Sequence, residues 1–426
     1  MKENILIKKI IIVGGGSSGW LTAAYLSNNF PHFKITIIDK EISTPVGVGE
    51  ATLLNFKFFL QACGFNQNEW FDELEATEKL GILFPNWIEK NKDVYHPFVT
   101  DLTSSKEYKK RLTQKLENNG NVAYHVNCGK LVSYIQNKLK GKIIFKQLDL
   151  KETIYKENAI EKLILKNNEE IIGDLYIDCT GFKSILKKNC KKINLRDRLI
   201  CNTAVAGSVE YLNKELEKTS YVKCEAVDQG WVWSIPVQTR IGSGFIFNRK
   251  ITDIEKAKLF FIKYWNKRIK KENIKTIDWT PFYDEEIWNK NVVSIGLSAG
   301  FLEPLESTGL ALAMEGVFQL SKRIYKNFYH GNDIKIYNNV MKLFFENSID
   351  FVNMHYLVSK RKGIFWEEGR ALKKSDKFLI YKNCIKEKNF NNFDEIKLMI
   401  KNNFSFNDND FFTFNNWYCW LIQSIK

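Results

Sequence analysis

The sequence predicts an α/β fold whose parallel sheet is assembled from segments far apart in the chain, followed by a mainly helical C-terminal third. Three observations predict it. Lys9 to Val13 is a continuous apolar run that leads into Gly14, Gly16 and Gly19 in GxGxxG spacing. Two later apolar runs, Leu175 to Cys179 and Val292 to Gly296, also end in small residues. Toward the C-terminus, stretches such as LAMEGVFQLSKRIYKNF carry apolar residues at helical spacing.

Each element follows in order. The Lys9–Val13 run reads as a strand buried on both faces of a parallel sheet. A helix is predicted from Ser18 to about Asn28, then a second strand from Lys34 to Asp39. Asp39 stands twenty positions after Gly19, where a ribose-binding carboxylate is expected, so strand, glycine turn, helix, strand and acid together predict a dinucleotide site. The small residues at Thr180-Gly181 and Gly296 let backbone approach a ligand. The stretches near 60–140 and 191–288 are inserted between these strands. The predicted division is 1–325 for the discontinuous nucleotide domain and 326–426 for a helical subdomain. In GWVWSIPVQTRIGSG, Trp231 and Trp233 share one strand face and Pro236 stops the strand. Taken alone, that pair is core packing. The Asn389–Asp410 segment is predicted to be a loop region.

Composition narrows the function classes. A chain of 426 residues with 44% hydrophobic content can bury more than one core. The net charge of +14 comes from scattered lysines, with no Arg-rich block and no zinc-finger spacing, so a general Lys/Asn/Ile bias explains it better than a nucleic-acid groove. Eight cysteines without a CxxC pair read as reduced, mostly buried thiols, and five histidines without HxxxH spacing argue against a metal. MKENILIKK lacks a signal-peptide core, and no apolar run reaches membrane-spanning length. The expectation is a cytoplasmic protein with no membrane and no nucleic-acid partner, and a possible homodimer.

Further motifs carry a resemblance. Trp231, Trp233, Ile235 and Pro236 match WxWxIP; FLEPLESTG matches FxxPxxSxG at Phe301, Pro304, Ser307 and Gly309; VGVGEATL resembles a flavin-spanning strap. With the GxGxxG and its trailing Trp20, the chain resembles the flavin-dependent halogenases of the tryptophan halogenase type, from residue 8 to about residue 420. The resemblance implies a glutathione-reductase-like, Rossmann-type FAD-binding domain with an interleaved sheet and a mainly helical substrate-binding subdomain. It implies cofactor contacts at Gly14, Gly16, Ser17, Gly19, Trp20, Asp39, Gly49, Glu50, Ala51, Thr52, Gly181, Gly296 and Leu297. Trp231, Trp233 and Pro236 become a water-excluding wall beside the flavin.

The implied chemistry is halogenation. FADH2 arrives by diffusion from a separate flavin reductase and reacts with O2 to a hydroperoxide; chloride or bromide is oxidised to hypohalous acid, which halogenates an aromatic, indole-type small molecule. Ser307, Thr308 and Gly309 match the halide site; as residues alone they read as a helix N-cap. Lys79 matches the lysine that delivers the halogen, although alone it reads as a solvated surface residue. Glu306 matches the carboxylate that steadies the ring cation and takes its proton, and alone it reads as an exposed loop residue; Glu303 is its competitor. His96 and Phe98, with Phe412 and Asn416, match an aromatic substrate sandwich. The acidic and tyrosine residues that hold the amino-acid end of tryptophan have no counterpart in NNFSFNDND, so indole is expected over tryptophan. The alternative readings are a hydroxylating flavin monooxygenase on the same fold, and a non-enzymatic basic flavoprotein or nucleic-acid binder.

Overall fold

The computed structural model describes residues 5–39, 50–98, 104–113, 122–187, 190–376, 378–379 and 412–425. Gly49, Cys384 and the Asn389–Asp410 segment lie outside them.

A six-stranded sheet runs, edge to edge, Trp288–Asn289, Val292–Ser294, Leu175–Asp178, Lys9–Val13, Lys34–Asp39 and Ile144–Gln147. Its neighbours are parallel except at the Trp288–Asn289 edge. The long apolar run at the start of the chain has a simple cause. Ile10 and Ile12 face the main core, where helix α1 (Ser17–Asn29) packs. Ile11 and Val13 face a second core under the meander Leu150–Lys156, Ala159–Leu165 and Glu170–Ile171. With both faces covered, Ile10 to Val13 are all buried and all apolar, and only the exposed first position, Lys9, is polar. The Leu175 and Val292 strands end one or two residues earlier than the apolar runs suggest, because the chain turns into short 3₁₀ segments at Gly181–Lys183 and Gly296–Ser298.

The segments inserted between these strands build a seven-stranded sheet in the order Lys275–Asp278, Thr203–Val209, Ile241–Phe247, Gly230–Pro236, Val222–Val227, Gly81–Phe84 and Val94–Pro97. All seven residues of Gly230–Pro236 are buried. Alternation sends Trp231, Trp233 and Ile235 to the main core. Val232 goes to the other face, with Phe245, Phe247 and Phe261 under the helix Ile254–Tyr264. Trp233 lies opposite Gly244 in the ladder. A Cβ at Gly244 would stand 2.0 Å from Cη2 of Trp233, so the indole occupies the space that a side chain would need. Glu50–Ala51, Ala123–Val126 and Thr77–Lys79 form a separate small antiparallel sheet. Its Thr77 hydroxyl donates to the carbonyl of Pro236 at 2.6 Å, which ties it to the end of the tryptophan strand.

Three further helices complete the site: α2 (Thr308–Ile324), α3 (Gly331–Val358) and α4 (Phe414–Ile425). α2 packs between α1 and α3, and α4 lies against α3 and the Val94–Pro97 strand. No helix among the described residues is long and apolar enough to cross a membrane.

Gly244→Ala places a methyl inside the Trp233 ring, and the strands around it cannot spread without losing ladder bonds. Urea unfolding should report a loss of about 1–3 kcal/mol. Unchanged stability would mean that the Trp233 ring moves aside at no cost.

Candidate active site

The carboxyl ends of Lys9–Val13, Lys34–Asp39, Leu175–Asp178 and Val292–Ser294 are in register, and a cleft of ≈ 690 Å³ opens beside them. That is where open parallel sheets bind their ligands. Gly14 and Gly19 make the turn possible: a Cβ on Gly14 would lie 2.2 Å from the Cys179 carbonyl oxygen, and one on Gly19 would lie 2.0 Å from that of Gly14. α1 starts at this turn with no side chain capping it, which leaves its first amides for an anion such as a pyrophosphate. A Cβ on Gly181 or Gly309 would meet no protein atom within 4 Å, so backbone there borders open space. A dinucleotide of flavin size fits this cradle.

Of the residues expected at the cofactor, Gly14, Gly16, Ser17, Asp39, Glu50, Ala51, Gly181, Gly296 and Leu297 line the cleft. Gly19 and Trp20 stand behind it, Trp20 buried with its ring 5.2 Å from Phe145. Thr52 is buried, and its carbonyl accepts a hydrogen bond from Lys79. The two wall tryptophans are divided. Trp233 lines the cleft. Trp231 sits behind, 6.4 Å away between ring centroids, and donates through Nε1 to the Tyr356 hydroxyl at 3.2 Å.

The inner end of the cleft is set by an unusual turn. Glu306 and Ser307 both take φ of 61°. Two successive non-glycine residues in the left-handed region cost about 1–3 kcal/mol each and persist only where the surroundings hold them. Here the turn sends the two side chains to separate partners. Ser307 occupies the N-cap position of α2, yet its side chain makes no capping bond; its hydroxyl accepts from Lys79 Nζ at 2.8 Å. Thr308 and Gly309, at the uncapped start of α2, line the cleft with Glu306 and Ser307.

Lys79 is fully buried, not a surface lysine. Its ammonium donates to Thr52 O and Ser307 Oγ, both at 2.8 Å, and lies 5.2 Å from the Phe98 ring centroid. Burial pulls its pKa down to about 7, against the opposing charge of Glu306. Glu306 is only 2% exposed, not an exposed loop residue. Its Oε1 accepts from His355 Nε2 at 2.7 Å, His96 Nδ1 at 2.9 Å and Trp420 Nε1 at 3.3 Å. Its Oε2 lies 3.0 Å from the same His96 nitrogen. Burial alone would raise this carboxyl. Its contacts with His96 and His355 overcome that and hold it well below the usual carboxylate range.

Glu303, three residues earlier, does not line the cleft. It is equally buried but has no cationic partner among the described residues, and burial pushes its carboxyl up to about 7 against a 2.7 Å bond from Tyr356. Two neighbouring carboxyls are thus driven apart by their surroundings, which separates a charged group from a neutral one.

The structure places all four of the expected substrate residues around this end. His96 is bound to Glu306 on one side and to Asn416 Nδ2 on the other, at 3.1 Å. Phe98 lies beside Lys79. Phe412 is buried and stacks on Phe351 at 4.1 Å. Two residues of the site carry no sequence signal that marks them: His355, in an apolar helical stretch, and Trp420, one of eleven tryptophans. The described residues contain no cluster of three or more His, Cys, Asp and Glu that could hold a metal.

This geometry has relatives. The family model for tryptophan halogenase matches residues 9–109 and 99–424. Tryptophan 6-halogenase ThaL from Streptomyces albogriseolus is 27% identical over 425 residues, covering 87% of this chain and 80% of the relative. A flavin-dependent halogenase from Xanthomonas campestris superposes with a TM-score of 0.85 at 23% identity, over 99% of this chain and 90% of that one. BrvH, a flavin-dependent halogenase from Brevundimonas sp. BAL3, gives 0.84 at 23% identity, over 98% and 89%. None of these relatives favours a hydroxylase or a nucleic-acid binder. The chain belongs to the tryptophan halogenase family and is a flavin-dependent halogenase, an oxidoreductase.

Proposed function

We propose that this enzyme halogenates a small indole-type aromatic with chloride or bromide, using FADH2 that diffuses from a separate reductase. The observation that carries this reading is the junction at the inner end of the cleft, where Lys79 and Glu306 meet through Ser307. Bound reduced flavin would supply, with O2, the oxygen that oxidises the halide to hypohalous acid.

The chain's own residues do the rest. Gly14, Gly16 and α1 hold the pyrophosphate, and Asp39 holds a ribose. Thr308 and Gly309 offer backbone amides to the halide at a helix N-terminus. Trp233 and Ile235 keep water from that end. Lys79, with its ammonium weakened by burial, binds the halogenating species and delivers it to the ring. Glu306, kept as a carboxylate, faces the cationic ring and accepts its proton. Phe98 and Phe412 offer flat faces to the aromatic, and His96 and Asn416 hold Glu306 from the substrate side. Residues 1–325 carry the flavin and 326–426 complete the substrate side of an enzyme that works in the cytoplasm.

Mass spectrometry of an aromatic panel, incubated with reduced FAD, O2 and chloride or bromide, tests the reading; no halogenated product from any indole would sink it. Lys79→Ala should abolish halogenation while reduced FAD is still oxidised and peroxide accumulates, and retained halogenation in that variant would remove Lys79 from the mechanism. Asp39→Ala should weaken FAD binding by about 1.5–3 kcal/mol, the worth of a hydrogen bond to a charged group; titration of FAD fluorescence would expose an unchanged affinity. In competition at equal concentration, indole should be halogenated with higher kcat/KM than L-tryptophan, because a pocket cannot select ionic groups that it does not bind. Predominant halogenation of tryptophan at one benzo-ring carbon would show that other residues hold its amino-acid end.

A further inference from the structure

His355 lies on the last turns of α3, fully buried. Its Nδ1 is 2.7 Å from the Phe351 carbonyl oxygen, and its Nε2 is 2.7 Å from Glu306 Oε1. A carbonyl can only accept, so Nδ1 carries a hydrogen. A neutral ring would then turn a bare Nε2 lone pair toward a carboxylate oxygen, two acceptors at hydrogen-bond distance. One more proton has to sit between them: burial of the ring pulls its pKa down, but the Glu306 carboxylate and the Phe351 carbonyl, both in contact with its nitrogens, favour the added proton.

The other donors around Glu306 tell where it rests. Thr413 N–H and its hydroxyl donate to Asn416 Oδ1 at 2.9 and 3.0 Å, which turns the Asn416 amide nitrogen toward His96 Nε2. His96 Nε2 is therefore an acceptor, and Nδ1–H points at Glu306. Trp420 adds a third N–H. Every neighbour of the carboxyl is a donor, which is the environment of an ionised group. The remaining faces of His355 are the rings of Phe84, Trp87, Phe351 and Trp420, none of them titratable. The other titratable groups that feel Glu306 are Lys79, Cys224 and Cys419.

We propose that His355 is a positioning residue, a buried imidazolium locked between the Phe351 carbonyl and Glu306, which keeps Glu306 ionised and fully engages Oε1. Oε2, with only the shared His96 bond, is then the oxygen left to take the proton from the substrate ring. This deepens the reading of Glu306 as proton acceptor and rests on it. The pair is neutral as a unit, so it satisfies the buried site without a surplus charge.

The test has a spectroscopic arm and a kinetic arm. In the flavin-free protein, ¹⁵N spectra of the five histidines at about pH 8, above the ordinary histidine pKa, should contain one ring with both nitrogens protonated. That signal should vanish in His355→Gln, and in the isosteric Glu306→Gln the second proton should leave His355. A His355 signal with an unprotonated Nε2 in the wild-type protein overturns the proposal, whether or not either variant folds well. In the kinetic arm, His355→Gln removes the cation, so the acid limb of the kcat profile for indole halogenation should move up by about 1–3 pH units. KM for indole should change little, and raising the pH should restore kcat. A loss of kcat equal at every pH would mean that His355 only packs. The spectra are read without turnover, so failure of the halogenase reading and failure of this proposal are distinguishable.

Discussion

A carboxylate taken out of water must be given back its charge partners by the protein, and at Glu306 that demand organises the inner end of the cleft. One oxygen collects donors from three separate parts of the chain: the Val94–Pro97 strand, α3 and α4. The strained turn at Glu306–Ser307 is what aims the group at them. An unpaired charge at such depth costs several kcal/mol, enough to offset the strain of two left-handed residues. The turn and its three partners therefore hold one another in place. The same turn places Ser307 against Lys79, so the cation and the anion of the site share one backbone hinge while their side chains stay apart.

The two large sheets meet at this point for different reasons. The parallel strands bring their carboxyl ends together, because their crossovers return each of them in the same direction and leave the glycine turns on one edge. The antiparallel sheet brings a flat apolar surface, because alternation puts Trp233 and Ile235 on one side of a strand whose neighbour leaves a gap at Gly244. One sheet offers the cleft its backbone and the other an apolar wall of side chains.

Much of this was legible in the sequence, and the limits have physical causes. The Lys9–Asp39 unit could be read because it is local: strand, turn, helix, strand and acid are contiguous, and each has a spacing that the geometry requires. Glu306, Ser307 and Lys79 could be reached only through motif resemblance; residue by residue they read as surface or capping positions, whereas Glu306 and Lys79 are buried. The burial of Lys79 comes from contacts with Thr52 and Ser307, and no local pattern announces a partner 228 positions away. Trp231 and Trp233 were correctly read as sharing a face. That only one of them reaches the cleft depends on how far the face extends past its edge, which alternation does not encode. His355 was invisible because a histidine in an apolar helical stretch is ordinarily a satisfied core residue, and its meaning lies in the two acceptors that tertiary packing sets at its two nitrogens.

Glu303 and Glu306 are read by consecutive positions of a single helix: Tyr356 serves the first and His355 the second, each at 2.7 Å. α3 can satisfy both at only one rotational setting. Neighbouring positions on a helix point about 100° apart, so the two carboxyls act as a pair of detents on its rotation. Inserting or deleting one residue anywhere between the start of α3 and Phe351 would turn the entire C-terminal end past both. The phase of a 28-residue helix is thus locked from its far end, by chemistry, rather than by its cap at His330.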